Sequence, residues 1–135
     1  MATVSQRFGA ARRLKRPADF AAVRSRSARA ECGTFFLRLR LRRTGEGPEP
    51  ARLGLVASRK VGNAVVRNRA KRRFREIFRK HPEVLPAYAD VVVICRAAVA
   101  TEAFAALESA FLRGVEKAQG RARRPSGDIP SGGRQ

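Results

Sequence analysis

Hydrophobic and polar residues alternate over residues 35–42, with Phe36 the one exception, a pattern typical of a half-buried β-strand. One face of this strand would carry four apolar side chains, Phe35, Leu37, Leu39 and Leu41. The other face would carry an aromatic ring and three arginines, Phe36, Arg38, Arg40 and Arg42. A Gly- and Pro-rich loop over residues 44–50 separates this strand from a second predicted strand over residues 51–58. We expect the two strands to pair as a hairpin.

Helical periodicity predicts three helices. Pro17 suits a first helical position and opens a short helix that ends near Arg24. A second helix is capped by Asn63 and ends near Lys80, and one arc of its surface is apolar: Val66, Ala70, Phe74, Ile77 and Phe78. Thr101 is expected to cap a last helix, whose core stripe is Phe104, Leu107, Phe111 and Val115.

A third strand is predicted over residues 89–96, where the run 91–94 is apolar on both faces and indicates a central, covered strand. Asp90 at its start is interpreted as a turn residue. The predicted order is α-β-β-α-β-α, an α+β sandwich with a small mixed sheet and a β-α-β unit. Residues 14–118 would form a single domain, between a mobile basic tail (1–13) and a disordered Arg/Gly/Pro/Ser tail (119–135).

Positive charge dominates the chain. Its 135 residues include 30 Lys and Arg against 11 Asp and Glu, which gives a net charge of +19 and favours a polyanionic partner. Eight of the residues from 67 to 80 are basic and Glu76 alone opposes them, whereas a solvated helix face usually mixes both signs. Phe36 among arginines suits single-stranded nucleic acid, whose bases stack on aromatic rings. The alternative, that Phe36 and Phe20 are ordinary core residues, stays open.

The sequence shows no catalytic apparatus of its own: no nucleophile–base pair, no motif of paired carboxylates and no set of metal ligands. No protein-bound cofactor or small-molecule substrate is therefore expected. Cys32 and Cys95 with the single His81 cannot make a metal site, and Cys95 is predicted to be a buried free thiol. His81 is expected to interact with the helix dipole. Without a membrane-spanning apolar run or an apolar signal core, a cytoplasmic location is expected.

Residues 52–72 closely resemble the signature of the protein subunit of bacterial ribonuclease P. That family carries an Arg-Asn-Arg core after a Gly-Leu-x-x-Ser-Lys-Lys-x-Gly-Asn-Ala-Val lead-in, and here Arg67-Asn68-Arg69 stands in that place, with Arg59 at the first lysine. Residues 14–20 are similar to the family's N-terminal helix and residues 90–96 to its last strand. The resemblance covers roughly residues 12–118 in the same order.

The resemblance implies a ribosomal S5 domain 2-like fold with a left-handed β-α-β crossover, opposite to the general rule. It also implies that a large RNA subunit hydrolyses precursor tRNA with RNA-bound Mg²⁺. The protein would dock on this ribonuclease P RNA through Arg59, Lys60, Asn63, Arg67, Asn68, Arg69, Lys71 and Arg72. It would hold the 5′ leader of precursor tRNA through Phe20, Arg24, Phe36, Arg38 and Arg40.

Two positions depart from the family pattern. Arg24 stands where some members carry a second aromatic on the first helix, and Arg38 stands where they carry a tyrosine, so leader binding here would depend more on charge. A ribosomal or general RNA-binding protein without a role in cleavage would explain the charge and the helix equally well. A stand-alone nuclease is disfavoured by the missing site, and a membrane-active helix because its apolar stripe is needed to cover the sheet.

Overall fold

A four-stranded sheet packs against three α-helices in residues 12–123, the part of the chain that the computed structural model describes. The helices are α1 (Pro17–Ser25), α2 (Ala64–Lys80) and α3 (Phe104–Ala122). The strands are β1 (Ala28–Glu31), β2 (Phe35–Leu41), β3 (Arg52–Val56) and β4 (Ala89–Cys95). A 3-10 turn, Ala97–Ala100, links β4 to α3. The predicted α+β fold class is confirmed.

The strand order is β1-β2-β4-β3, so the predicted hairpin between residues 35–42 and 51–58 is wrong. β2 pairs with β4 antiparallel and β3 pairs with β4 parallel, which places β4 between them. β4 takes this central position because its side chains are apolar on both faces and need cover on both. The predicted β-α-β unit is confirmed as β3-α2-β4. The hand of its crossover stays a prediction.

Strand β1 is absent from the sequence prediction. It pairs antiparallel with β2 across a short turn, and the true order of elements is α-β-β-β-α-β-α. Its four residues, Ala-Arg-Ala-Glu, include none of the β-branched and aromatic types that favour strands. The strand therefore depends on pairing with β2 rather than on local propensity.

The main core lies between one face of the sheet and helices α2 and α3. Phe35, Phe74 and Phe111 are fully buried at its centre, with ring centroids 4.8 Å apart for Phe35–Phe74 and 6.1 Å for Phe74–Phe111. The predicted apolar stripes of α2 and α3 face this core, although Val66 and Phe104 are only half-buried. Helix α1 packs on the opposite sheet face, where Val23 joins a smaller cluster with Leu14 and Val92.

The start of α3 differs from the prediction. Ala103 occupies the N-cap position, and Thr101 instead ends the preceding 3-10 turn, where its hydroxyl donates to the Ala98 carbonyl at 3.4 Å. The expected Thr101 cap is wrong because the 3-10 turn places this residue before the helix begins. α3 also continues to Ala122, beyond the predicted domain boundary at residue 118. The remaining parts of the predicted tails, residues 1–11 and 124–135, lie outside the described residues.

Asp90 is fully buried, which corrects its interpretation as a turn residue. Its Oδ1 accepts from Arg42 Nε at 3.0 Å and from Arg52 Nε at 2.9 Å, and its Oδ2 accepts from Arg52 Nη2 at 3.0 Å. Arg42 is also buried and donates to the carbonyls of Glu46, Pro48 and Pro50. Arg42 therefore holds the loop over residues 43–51 to the sheet and does not belong to an exposed arginine face.

Candidate nucleic-acid interface

A tight turn over residues 58–62 precedes α2 and sets where the helix begins. The backbone N–H of Val61 donates to the Ser58 carbonyl at 2.9 Å, and that of Gly62 donates to the Arg59 carbonyl at 3.2 Å. Gly62 has a φ of 152°, and a Cβ there would lie 2.8 Å from Val66, so both conformation and space require glycine. The Asn63 side chain then accepts from the Val66 N–H at 3.0 Å, which confirms the predicted cap.

The turn over residues 58–62 and the first half of α2 are consecutive in the chain, and their exposed and half-buried basic and polar residues are here called the signature surface. It contains all eight residues that the family resemblance assigned to the catalytic RNA, Arg59, Lys60, Asn63, Arg67, Asn68, Arg69, Lys71 and Arg72. All eight are exposed except Arg67 and Lys71, which are half-buried. Within the described residues, none of the six basic side chains in this set makes an ion pair, and the buried Nε of Arg67 has no hydrogen-bond partner. Their charge is therefore available to an external polyanion.

The second half of α2 has a different role. Arg73 Nη1 donates to the carbonyls of Val99 at 2.8 Å and Ala100 at 3.0 Å, and its Nη2 donates to the Glu102 carbonyl at 2.6 Å. Arg79 pairs with Glu76, and Lys80 lies 5.4 Å from the centre of the Phe104 ring. The basic run therefore does not form one uniform face, and Arg73 is a structural residue within it.

A second candidate surface lies on the sheet face opposite α2 and α3. We call it the open face, and it comprises Arg24 of α1, Arg29 and Glu31 of β1, Phe36 and Arg38 of β2, and Arg96 after β4. In register across it, Phe36 of β2 lies beside Glu31 of β1, and Arg38 lies beside Arg29. Both Phe36 and Arg38 are half-buried. Arg24 at the end of α1 lies near enough to Arg38 that, after partial burial and Arg29, it contributes to lowering the pKa of Arg38. The sheet and α1 thus place Arg38 beside Phe36 and near Arg24.

Three guanidinium groups surround the Phe36 ring. Arg29 lies 3.8 Å from the ring centre, Arg96 lies 5.3 Å away and Arg38 lies 6.0 Å away. Guanidinium groups at these distances are attracted to the ring's π-electrons. The half-buried ring, with cations around it, provides both a stacking surface and charges for a nucleic-acid backbone.

Arg40 and Phe20 lie in more enclosed settings than the other predicted leader-binding residues. Arg40 pairs with Glu46 at 2.7 Å and lies 3.9 Å from Asp90, so two carboxylates compensate its charge. Phe20 is half-buried and packs on the cluster of Leu14, Val23 and Val92. Its ring leaves no room for a side chain at Gly54, where a Cβ would lie 2.8 Å from it. Phe20 therefore fixes α1 on the sheet while part of its surface remains open.

The sequence prediction missed Arg29, Glu31 and Arg96. Glu31 accepts from Nη1 and Nη2 of Arg96, at 2.8 and 2.9 Å, and from Nη2 of Arg29 at 2.6 Å. These hydrogen bonds, first that from Arg96 and then that from Arg29, lower the pKa of Glu31 to about 2. Alternation in the short segment Ala28–Glu31 is a weak signal of this strand, and nothing in the sequence indicates its register with Phe36.

The two cysteines and His81 lie in distinct surroundings. Cys95 is a buried free thiol, as predicted, and burial raises its pKa to about 12. Burial also raises the pKa of Cys32 to about 11. His81 lies 2.7 Å from Glu108, a side-chain contact in addition to the predicted helix-end position. Among residues 12–123 no three His, Cys, Asp or Glu side chains are grouped to hold a metal ion, and no helix there is long and apolar enough to cross a membrane.

Comparison with known proteins gives consistent matches. Residues 8–119 match the family model Ribonuclease P. The Ribonuclease P protein component of Gluconacetobacter diazotrophicus is 38% identical over 109 residues, which cover 80% of this chain and 91% of that protein. The Ribonuclease P protein component of Brevibacillus brevis is 36% identical, and the match covers 79% of this chain and 82% of that protein. That of Desulfovibrio desulfuricans is 44% identical over 84 residues, and the match spans 63% of its length.

Solved structures show the same fold. The RNase P protein from Thermotoga maritima has a TM-score of 0.67 and 30% identity, and the match covers 78% of this chain and 96% of that one. A Staphylococcus aureus RNase P protein mutant with defective mRNA degradation activity has a TM-score of 0.71 and 28% identity. That match covers 81% of this chain and 89% of the other. The open mixed sheet with three helices is therefore the architecture of these proteins.

Proposed function

Since this chain belongs to the ribonuclease P protein family, we propose that it binds the catalytic RNA with its signature surface and the 5′ leader of precursor tRNA with its open face. It is then the non-catalytic protein subunit of an endoribonuclease that makes the mature 5′ end of tRNA, acting in the cytoplasm. The observation that carries this proposal is the signature surface, six basic side chains without an ion pair in the described residues. Within residues 12–123, six other arginines pair with carboxylates, whereas Arg24 and Arg38 of the open face, like the signature surface, do not. What distinguishes the signature surface is that its unpaired basic residues follow one another along one turn and helix.

The proposed division of labour is the one that the family resemblance implies, and the side chains present agree with it. The described residues supply binding groups, guanidinium, ammonium and amide, on the signature surface, and a ring with guanidinium groups on the open face. They supply no cluster of metal ligands. As the family resemblance implies, we assign the hydrolytic step, and the Mg²⁺ that supports it, to the RNA subunit. The protein would add affinity for phosphates and hold the leader in place.

Cleavage of precursor tRNA at low Mg²⁺ tests this function directly. Three reactions are compared: this protein alone, a bacterial ribonuclease P RNA alone, and both together. Cleavage at the mature 5′ end that requires both components supports the subunit role. If the protein binds RNA but does not change cleavage, the alternative of a ribosomal or general RNA-binding protein becomes the better explanation. The protein-alone reaction also tests whether the chain cleaves RNA by itself.

Replacing Arg67 and Arg69 together by alanine should weaken binding to the catalytic RNA and make it less sensitive to salt. Each lost phosphate contact should remove roughly 0.7–0.9 from the slope of log affinity against log salt concentration. The measurement is an equilibrium binding series at several salt concentrations. The control is Arg43→Ala with Arg123→Ala, which removes the same charge from two exposed positions outside both surfaces. Equal slopes for the two double variants would contradict the assignment.

Replacing Phe36 by alanine should weaken binding of precursor tRNA to the holoenzyme by about 1–3 kcal/mol if a leader base stacks on the ring. Mature tRNA lacks the leader, so its affinity should not change. The measurement compares the dissociation constants of the two substrates, with thermal unfolding as a check on folding because the ring is half-buried. Equal losses for both substrates would show that Phe36 acts as a core residue.

A further inference from the structure

The open face contains an internal anion where an RNA phosphate would otherwise find two cations. Glu31 binds the guanidinium group of Arg96 through both of its oxygens, at 2.8 and 2.9 Å, and binds Arg29 at 2.6 Å. Carboxylate and phosphate oxygens bind the arginine fork with the same bidentate geometry. Glu31 therefore makes the contacts to Arg29 and Arg96 that a phosphate group could make.

Glu31 also determines what covers the Phe36 ring. The guanidinium group of Arg29 lies 3.8 Å from the ring centre while its Nη2 donates to Glu31. Glu31 and Phe36 are cross-strand neighbours, so the pairing of β1 with β2 fixes this arrangement. A base can stack on the ring face beneath Arg29 only after that guanidinium group has moved.

The ion pairs that Glu31 makes with Arg29 and Arg96 are exposed, so another anion can replace the carboxylate. About half of the side-chain surface is exposed for Glu31, and more than two fifths for Arg29 and for Arg96. Exposed ion pairs contribute little stability because water solvates both partners well. A phosphate that arrives with a base can therefore replace the carboxylate at low cost. The buried pair of Arg42 and Asp90 offers no comparable freedom.

Neighbouring cations would guide such a phosphate. Within the part of the chain that the structure describes, no carboxylate lies within ion-pair distance of Arg24 or Arg38. Arg38 is the cross-strand partner of Arg29, so uncompensated charge lies directly beside the compensated pair. A backbone phosphate attracted by Arg24 and Arg38 would come within reach of Arg29.

We propose that Glu31 is an internal phosphate mimic that holds Arg29 over Phe36 until a leader phosphate displaces it. This inference rests on the proposed leader-binding function. Glu31 then acts as a specificity-determining residue: a ligand gains full affinity only if it brings a phosphate for Arg29 and a base for Phe36. Single-stranded RNA meets both requirements, whereas isolated phosphates on a folded RNA surface meet only the first.

The test replaces Glu31 by glutamine, which keeps the size of the side chain and removes its charge. The E31Q holoenzyme should bind precursor tRNA roughly two- to five-fold more tightly, the range expected when an exposed ion pair no longer competes. Its affinity for mature tRNA should not change. The slope of log affinity for precursor tRNA against log salt should become steeper, by at most about 0.7, since the same phosphate then binds a site with one more net positive charge.

Glu83→Gln provides the matched control, because it removes the same charge from an exposed side chain outside the open face. A gain in precursor affinity for Glu31→Gln that exceeds the gain for Glu83→Gln supports the proposal. An unchanged or weaker precursor affinity would overturn it and leave Glu31 as a residue that merely orients the arginines. Failure of the proposed function is seen separately, in a wild-type holoenzyme that does not distinguish precursor from mature tRNA.

Discussion

Replacing Asp90 by alanine is expected to lower the free energy of unfolding by about 3–5 kcal/mol, because it leaves buried arginine charge without its partner. Asp90 is fully buried, and only 1% of the Arg42 side chain is exposed. Burial lowers the pKa of Arg42, whereas the hydrogen bonds that Arg52 donates to Asp90 raise the pKa of Arg52. Both arginines stay charged near neutral pH, since guanidinium groups lose their proton only far above it.

Chemical denaturation with a two-state analysis measures this loss. Asp19→Ala is the matched control, because Asp19 contacts the same Arg52 at 3.5 Å from a partly exposed position. The control should lose at most about 1 kcal/mol. If the two variants lost the same stability, Arg42 would have to be satisfied by the carbonyls of residues 46, 48 and 50 alone, and Asp90 would not be essential to the fold.

Local sequence patterns were sufficient to predict the three helices and three of the four strands. The cap at Asn63 and the stripe of α2 are encoded within a few residues of each other, so the sequence predicts them directly. The pairing of strands is a non-local property. The short loop between residues 42 and 51 favoured a hairpin, but the doubly apolar β4 requires cover on both sides and separates β2 from β3. β1 was missed because its alternation is a weak local signal and its partner supplies its stability.

The two surfaces differ in how much of them the sequence reveals. The signature surface is continuous along the chain, so a dense run of like charges with one cap was enough to find it. The open face depends on the register of β1 with β2, which brings Arg29 and Glu31 beside Phe36 and Arg38. Alternation also cannot distinguish an arginine that faces solvent from one such as Arg42 that is held by a buried carboxylate.

Arg73 shows the same limitation within the signature helix. The sequence places it in the basic run, but its side chain is half-buried and donates to two carbonyls of the 3-10 turn and to the Glu102 carbonyl just before α3. Its replacement by alanine would leave those acceptors without this donor. We expect a loss of about 1.5–3 kcal/mol in the free energy of unfolding, the usual contribution of hydrogen bonds to a charged group.

Arg72 is the control for Arg73, because it is adjacent in sequence and exposed. Arg72→Ala should leave the free energy of unfolding almost unchanged but lower the slope of log RNA affinity against log salt by roughly 0.7–0.9. Arg73→Ala should lower the free energy of unfolding. Its slope of log RNA affinity against log salt should equal that of the wild type, once binding is corrected for the folded fraction. The paired measurement separates charges that bind RNA from those that hold the fold. A reduced slope for Arg73→Ala would mean that this guanidinium group also contacts a phosphate.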